Sequence, residues 1–178
     1  LEKNYHMLNE NVSLEHNTMI KKTKAAILYE TNSELVIENV DVAAPGPKEV
    51  FVQMGAAGVC HSDVHVISGQ AQQLMPCVLG HEGAGLVTSI GDDVSRVSVG
   101  DHVILSWLPY CENCYQCIRG KTHLCKAFQT PVGNGTLLDG SCRFSNKQGP
   151  IRQLGSLGCW SENVVVSEEC CVTINRSI

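Results

Sequence analysis

Short runs of alternating apolar and polar residues, broken by glycine or proline, recur along this chain and predict strands rather than long helices. The run Lys24-Ala25-Ala26-Ile27-Leu28-Tyr29 suits a strand, and a second is expected from Leu35 to Val42, stopped by the turn Pro45-Gly46-Pro47. Glu49 to Val59 reads as a third, loosened by Gly55 and Gly58. Val64 and Ile67, three apart, give His61 to Ser68 the spacing of a short helix. Further strands are expected at Gly85–Ile90, Val103–Leu108, Asn163–Val166 and Cys171–Ile174. Residues 110 to 158 show little periodicity and many Gly and Cys, so loops braced by something other than a core are predicted there. Residues 1–20 are rich in Asn, Glu and His and read as a flexible N-terminal extension ahead of one domain, 21–178. Strands this short and this evenly punctuated favour a mainly β, barrel-like fold with short helices (α+β).

Composition narrows the function classes. Of 178 residues, 43% are apolar and 17% charged, enough to build a core. Thirteen Lys and Arg against eighteen Asp and Glu give a net charge of −5, with no basic stripe, so no nucleic-acid partner is expected. No apolar run reaches the roughly 18 residues of a membrane span, and the polar opening does not read as a signal peptide. A cytoplasmic protein is therefore expected, and its ten cysteines read as metal ligands and free thiols rather than bridges.

Cys111, Cys114, Cys117 and Cys125 follow C-x2-C-x2-C-x7-C. Ligands this close let one loop wrap one ion, and four thiolates suit tetrahedral Zn(II). Such a closed site leaves no position for a substrate, so its expected role is structural. An iron–sulfur cluster fits less well, because its fourth cysteine usually follows after three residues and precedes proline, whereas Lys126 follows here.

Two further blocks combine with the lobe: Gly58-Val59-Cys60-His61-Ser62-Asp63, and Gly80-His81-Glu82-Gly83-Ala84-Gly85 running on to Gly91 and Val94. With the four-cysteine lobe and Leu138-Asp139-Gly140-Ser141-Cys142-Arg143-Phe144, in that order, the chain resembles the zinc-dependent medium-chain alcohol dehydrogenases over about residues 24 to 176. The resemblance implies a GroES-like, partly open β-barrel carrying a four-cysteine zinc lobe. It also implies Cys60 and His81 as two ligands of a catalytic zinc, which lowers the pKa of a bound oxygen. By the same resemblance Ser62 takes the alcohol proton, His65 passes it on, Asp63 orients the zinc-bound His81, and Glu82 stands behind the metal. His61 occupies a cation position near the cofactor pyrophosphate, and Trp107 and Leu154 border the substrate pocket. The implied cofactors are two Zn(II) ions and NAD, the implied substrate a small alcohol or aldehyde, and the implied parent a homodimer or homotetramer. Cys77, Cys142, Cys159, Cys170 and Cys171 match no ligand position and read as ordinary thiols.

Two parts of the family pattern are missing. A third zinc ligand is expected beyond Ile178, and no G-x-G-x-x-G fingerprint opens a helix: Gly133-Asn134-Gly135 is followed by Leu138, and Gly83-Ala84-Gly85 by Thr88. The expectation is a chain truncated before its cofactor domain and inactive when isolated. Two readings compete: a non-enzymatic zinc-binding GroES-like module, and a polyol dehydrogenase of the same superfamily, whose members often lack lobe cysteines that this chain retains.

Overall fold

The structure, a computed structural model, describes residues 21–177, so the expected N-terminal extension lies outside the described residues. Ten strands and two α-helices follow in the order β1 (Lys21–Leu28), β2 (Val36–Val42), β3 (Glu49–Ala57), α1 (His61–Ile67), β4 (Cys77–Val78), β5 (Gly83–Ile90), β6 (His102–Leu105), α2 (Lys126–Asn134), β7 (Phe144–Asn146), β8 (Gly149–Gln153), β9 (Asn163–Ser167) and β10 (Cys171–Ile174).

Two sheets share the core. The first, β1-β2-β7-β8-β4, closes on itself where β4 pairs with β1; the second runs β10-β6-β5-β3-β9 and stays open. Alternation does what the sequence predicts in β1: Thr23, Ala25 and Ile27 face inward while Lys22 and Lys24 stand in water. Every residue of β9 is buried, because it pairs with β3 on one side and meets the barrel on the other. There the amide of Gln153, fully buried in β8, donates to the carbonyls of Leu157 and Val165 at 3.1 and 3.0 Å, tying barrel to sheet. One contiguous core results, including Ile27, Val40, Val52, Phe144, Ile151 and Val164. Each such side chain stabilises by about 1.5–3 kcal/mol relative to exposure.

The stretch expected to be loop, residues 110–158, contains one α-helix, two strands and three 3-10 turns. Helix α2 carries Pro131 and Gly133, which hide it from any propensity reading, and it forms because Phe128 buries itself against the lobe cysteines. Strands β7 and β8 are a hairpin whose Pro150 escapes a lost ladder bond because β4 covers only Arg152 and Gln153. Short 3-10 turns at Cys117–Arg119 and Thr122–Leu124 shape the lobe itself.

Glu168, at the end of β9, is buried and accepts the backbone N–H groups of Ser95 and Arg96 at 2.7 and 2.9 Å, with Lys48 Nζ at 3.5 Å. Burial pushes its carboxyl pKa up, but those N–H groups and Lys48 outweigh it and the net shift is downward. A depressed folded pKa means the stabilisation is present above the unfolded value and is lost as pH falls through the folded one. Glu168→Ala is expected to cost about 1–3 kcal/mol in urea unfolding at neutral pH. That difference should shrink as the solution is acidified below the ordinary range of an unfolded glutamate; a difference independent of pH would contradict the assignment.

Candidate metal centres

The four lobe sulfurs converge as their spacing requires. Sγ atoms of Cys114 and Cys117 lie 3.5 Å apart, and Cys111–Cys117 and Cys114–Cys125 are each 4.0 Å apart. A regular tetrahedron of sulfurs bonded at ~2.3 Å has edges of roughly 3.8 Å, so the cluster fits one zinc ion without rearrangement. The backbone supports negative charge there. Above all the Cys117 N–H, then that of Lys126, brings the Cys114 thiol down to about 6. Burial opposes the same trend at Cys125, but the N–H groups of Cys111 and Phe128 win and its pKa is also lowered. Cys117 goes the other way, to about 12, through burial and its neighbouring thiols. The lobe is tied to the loop between β5 and β6 by Arg96, 3.1 Å from Glu112 and over the Tyr110 ring.

The second centre is assembled by one buried carboxylate. Asp63 is the third residue of α1 and is 0% exposed. Its Oδ2 accepts the Cys60 N–H at 3.1 Å, closing the first turn of the helix, while Oδ1 accepts the Gly80 N–H at 3.1 Å and faces His81 Nδ1 at 3.3 Å. A carboxylate at neutral pH only accepts, so Nδ1 carries the ring proton and Nε2 keeps its lone pair for a metal. Gly80 has φ +88, and a Cβ there would collide with Trp160, whose Nε1 donates to Gly58 O at 2.8 Å. Only glycine lets the His81 segment lie this close to the Trp160 segment. The donor atoms of Cys60, His81 and Glu82 all fall within 4.8 Å of one another. Thiolate, imidazole and carboxylate together suit zinc with one position left open.

The remaining predicted residues are placed less decisively. Ser62 Oγ stands 3.5 Å from Cys60 Sγ and is exposed, but among the described residues it makes no hydrogen bond to His65. The His65 ring instead tilts against His61 at 4.6 Å. Glu82 is exposed, makes no ion pair among the described residues, and lies over Gly58. Trp107, after β6, meets the His81 ring edge-on at 6.3 Å. Leu154 packs against a small cluster of Leu28, Val66, Cys77 and Leu79. The five remaining cysteines are free, and burial pushes the thiols of Cys159 and Cys171 up to about 12. A groove of about 360 Å3 between Lys24, Ala56 and Glu162 contains none of the predicted site residues. Trp160 and Gly80, which wedge the second centre, carry no chemistry of their own and escape a search for ligands; the only sequence signal is a large aromatic and a glycine flanking the pattern.

The profile of the alcohol dehydrogenase GroES-like domain matches residues 46–176. The chain belongs to that family. It is 41% identical over 156 residues to the S-(hydroxymethyl)glutathione dehydrogenase of Saccharomyces cerevisiae, covering 86% of this chain and 40% of that protein. It is 40% identical over 151 residues to the class-3 alcohol dehydrogenase of Dictyostelium discoideum, covering 84% and 40% respectively. The benzyl alcohol dehydrogenase of Acinetobacter calcoaceticus superposes with a TM-score of 0.80 at 27% identity, over 89% of this chain and 42% of that one. The zinc-binding alcohol dehydrogenase domain protein of Burkholderia ambifaria gives 0.82 at 28%, over 88% and 43%. The chain thus spans about 40% of the length of the curated relatives it matches. The GroES-like fold expected from sequence stands, the four lobe cysteines form a cluster that fits zinc, and no described helix is long and apolar enough to cross a membrane.

Asp63→Ala is expected to weaken zinc or cobalt binding at the Cys60 centre by about 10–100-fold while leaving the lobe loaded, as read by competition with a chromophoric chelator. Unchanged affinity would show that the carboxylate does not hold the imidazole. Cys117→Ser should release the lobe metal and open residues 110–125 to limited proteolysis; a protected lobe would contradict metal bracing.

Proposed function

We propose that this GroES-like domain supplies the zinc and proton-handling residues of an NAD-dependent dehydrogenase that oxidises a primary or secondary alcohol to an aldehyde or ketone. The observation that carries this reading is the convergence of Cys60, His81 and Glu82 around a position with one open side. Zinc, when bound there, supplies Lewis acidity that makes an alcohol hydroxyl acidic near neutral pH. The chain's own residues hold and direct it: Cys60 and His81 donate sulfur and nitrogen, Asp63 fixes the His81 tautomer, and Glu82 offers a third donor on the same rim. Ser62, beside the Cys60 sulfur, is the nearest hydroxyl to receive a proton, and His65, one helical turn on, is the group able to pass it to solvent. Trp107, edge-on to His81, would border the approach; by resemblance Leu154 would lie at the same pocket and His61 near the phosphates of a bound cofactor.

The described residues contain no βαβ unit with a glycine fingerprint, so they do not form a site for NAD. On that ground the 178-residue chain is expected to show no sustained NADH production with benzyl alcohol. We place the protein in the cytoplasm, in keeping with its ten free thiols, acting on a small-molecule substrate as part of a homodimer or homotetramer. The alcohol is left at class level.

Cobalt-substituted protein titrated with benzyl alcohol tests the reading. The visible d–d bands of the Cys60 centre should shift, and Cys60→Ala should abolish the response while the lobe spectrum stays. A cobalt site indifferent to alcohols would favour a non-enzymatic zinc module instead.

A further inference from the structure

Helix α1 carries an imidazole at either end of its first turn. His61 and His65 are four residues apart, so their side chains lie on one face of the helix, one above the other. Their ring centroids stand 4.6 Å apart with the planes tilted by 54°. His61 is exposed and His65 half-buried, so solvent reaches the pair. The His81 ring meets Asp63 through Nδ1, whereas neither of these two rings makes a hydrogen bond or ion pair among the described residues.

The separation fits a shared metal ion. A ring nitrogen bound at about 2.0–2.1 Å puts the ion about 3.2 Å from the ring centroid. Two imidazoles in adjacent positions of a square-planar or octahedral ion then have centroids about 4.5 Å apart, against about 5.2 Å on a tetrahedral ion. The observed 4.6 Å matches the first geometry, which belongs to Cu(II) and Ni(II) rather than zinc. The backbone under the pair is fixed. Asp63, between the two histidines in sequence, is buried and accepts the Cys60 and Gly80 N–H groups. The His65 carbonyl accepts the Ala71 N–H at 2.9 Å, and the Ile67 carbonyl accepts the Asn32 N–H at 2.6 Å. Little freedom is therefore lost in bringing two donors to one ion. Among the described residues no third His, Cys, Asp or Glu donor clusters with the pair, so it is separate from the Cys60–His81–Glu82 group and leaves water to fill the other positions.

We propose that His61 and His65 form a two-imidazole clamp for a divalent transition metal of square-planar or octahedral habit, Ni(II) or Cu(II), on the solvent face of α1. Where the dehydrogenase reading holds, an ion in the clamp also withdraws both imidazoles from proton transfer and cofactor contact. The clamp itself does not depend on that reading.

The test is equilibrium dialysis of zinc-loaded protein against Ni(II), which does not oxidise thiols, with metal analysis of the retained protein. Wild type should take up one Ni(II) per chain and keep its zinc. His61→Gln and His65→Gln should each weaken nickel binding by roughly 100-fold, because a single imidazole loses the advantage of a second donor tethered beside it. Gln replacements of His6, His16, His102 and His123 should each stay within twofold of wild type. Nickel binding unchanged in either clamp variant, or weakened by one of the other four replacements, overturns the proposal. So does a wild type with two equal nickel sites of which each clamp variant removes one, or a loss of zinc equal to the nickel gained. None of these results bears on zinc at the Cys60 centre responding to alcohols, so failure of the clamp and failure of the dehydrogenase reading are told apart.

Discussion

A single desolvated carboxylate organises the Cys60–His81 end of this domain. Asp63 takes two backbone N–H groups and faces an imidazole, and the three partners come from two segments well separated along the chain. In water these groups would each be solvated. Inside the fold, losing the carboxylate would leave its donors unsatisfied at about 1–3 kcal/mol apiece. The same atom set starts helix α1, draws the Gly80-His81-Glu82 segment against it, and selects the ring nitrogen that faces outward. Cys60 and His81 come together because Asp63 ties the Cys60 and Gly80 backbones and meets the His81 ring.

The two sulfur-bearing centres illustrate opposite uses of similar ligands. In the lobe, four cysteines converge on one point and supply the packing that residues 110–125 otherwise lack; Phe128 and α2 rest on them. At the second centre one sulfur joins an imidazole and a carboxylate, and the Trp107 ring stands edge-on to His81. Four thiolates leave no room for a substrate and three mixed donors leave one position free, so what each centre can do follows from how many positions the protein fills.

Much of this was legible in the residues. Cys111 to Cys125 announce their geometry by spacing alone, because ligands so closely spaced have few ways to be arranged. The strands around Ile27, Val40 and Val164 follow from alternation and β-branching. The remainder was hidden for physical reasons. Helix α2 contains Pro131 and Gly133 and is held by contacts with the lobe, not by propensity. Strand β4 is two residues long and exists only as the piece that shuts the barrel. Trp160 acts through the space it fills against Gly80, and no ligand pattern reports that. The proton path was drawn from resemblance, and the structure sets Ser62 beside Cys60 with His65 turned to His61.

Zinc K-edge absorption fine structure on fully loaded protein bears most directly on the claim that Cys60 and His81 share an ion. The account predicts two zinc environments per chain, one of four sulfurs and one of a single sulfur with nitrogen and oxygen neighbours. Replacing Cys60 by Ser should then leave only the four-sulfur shell. A wild-type spectrum already explained by four sulfurs alone, with one zinc per chain, would contradict it.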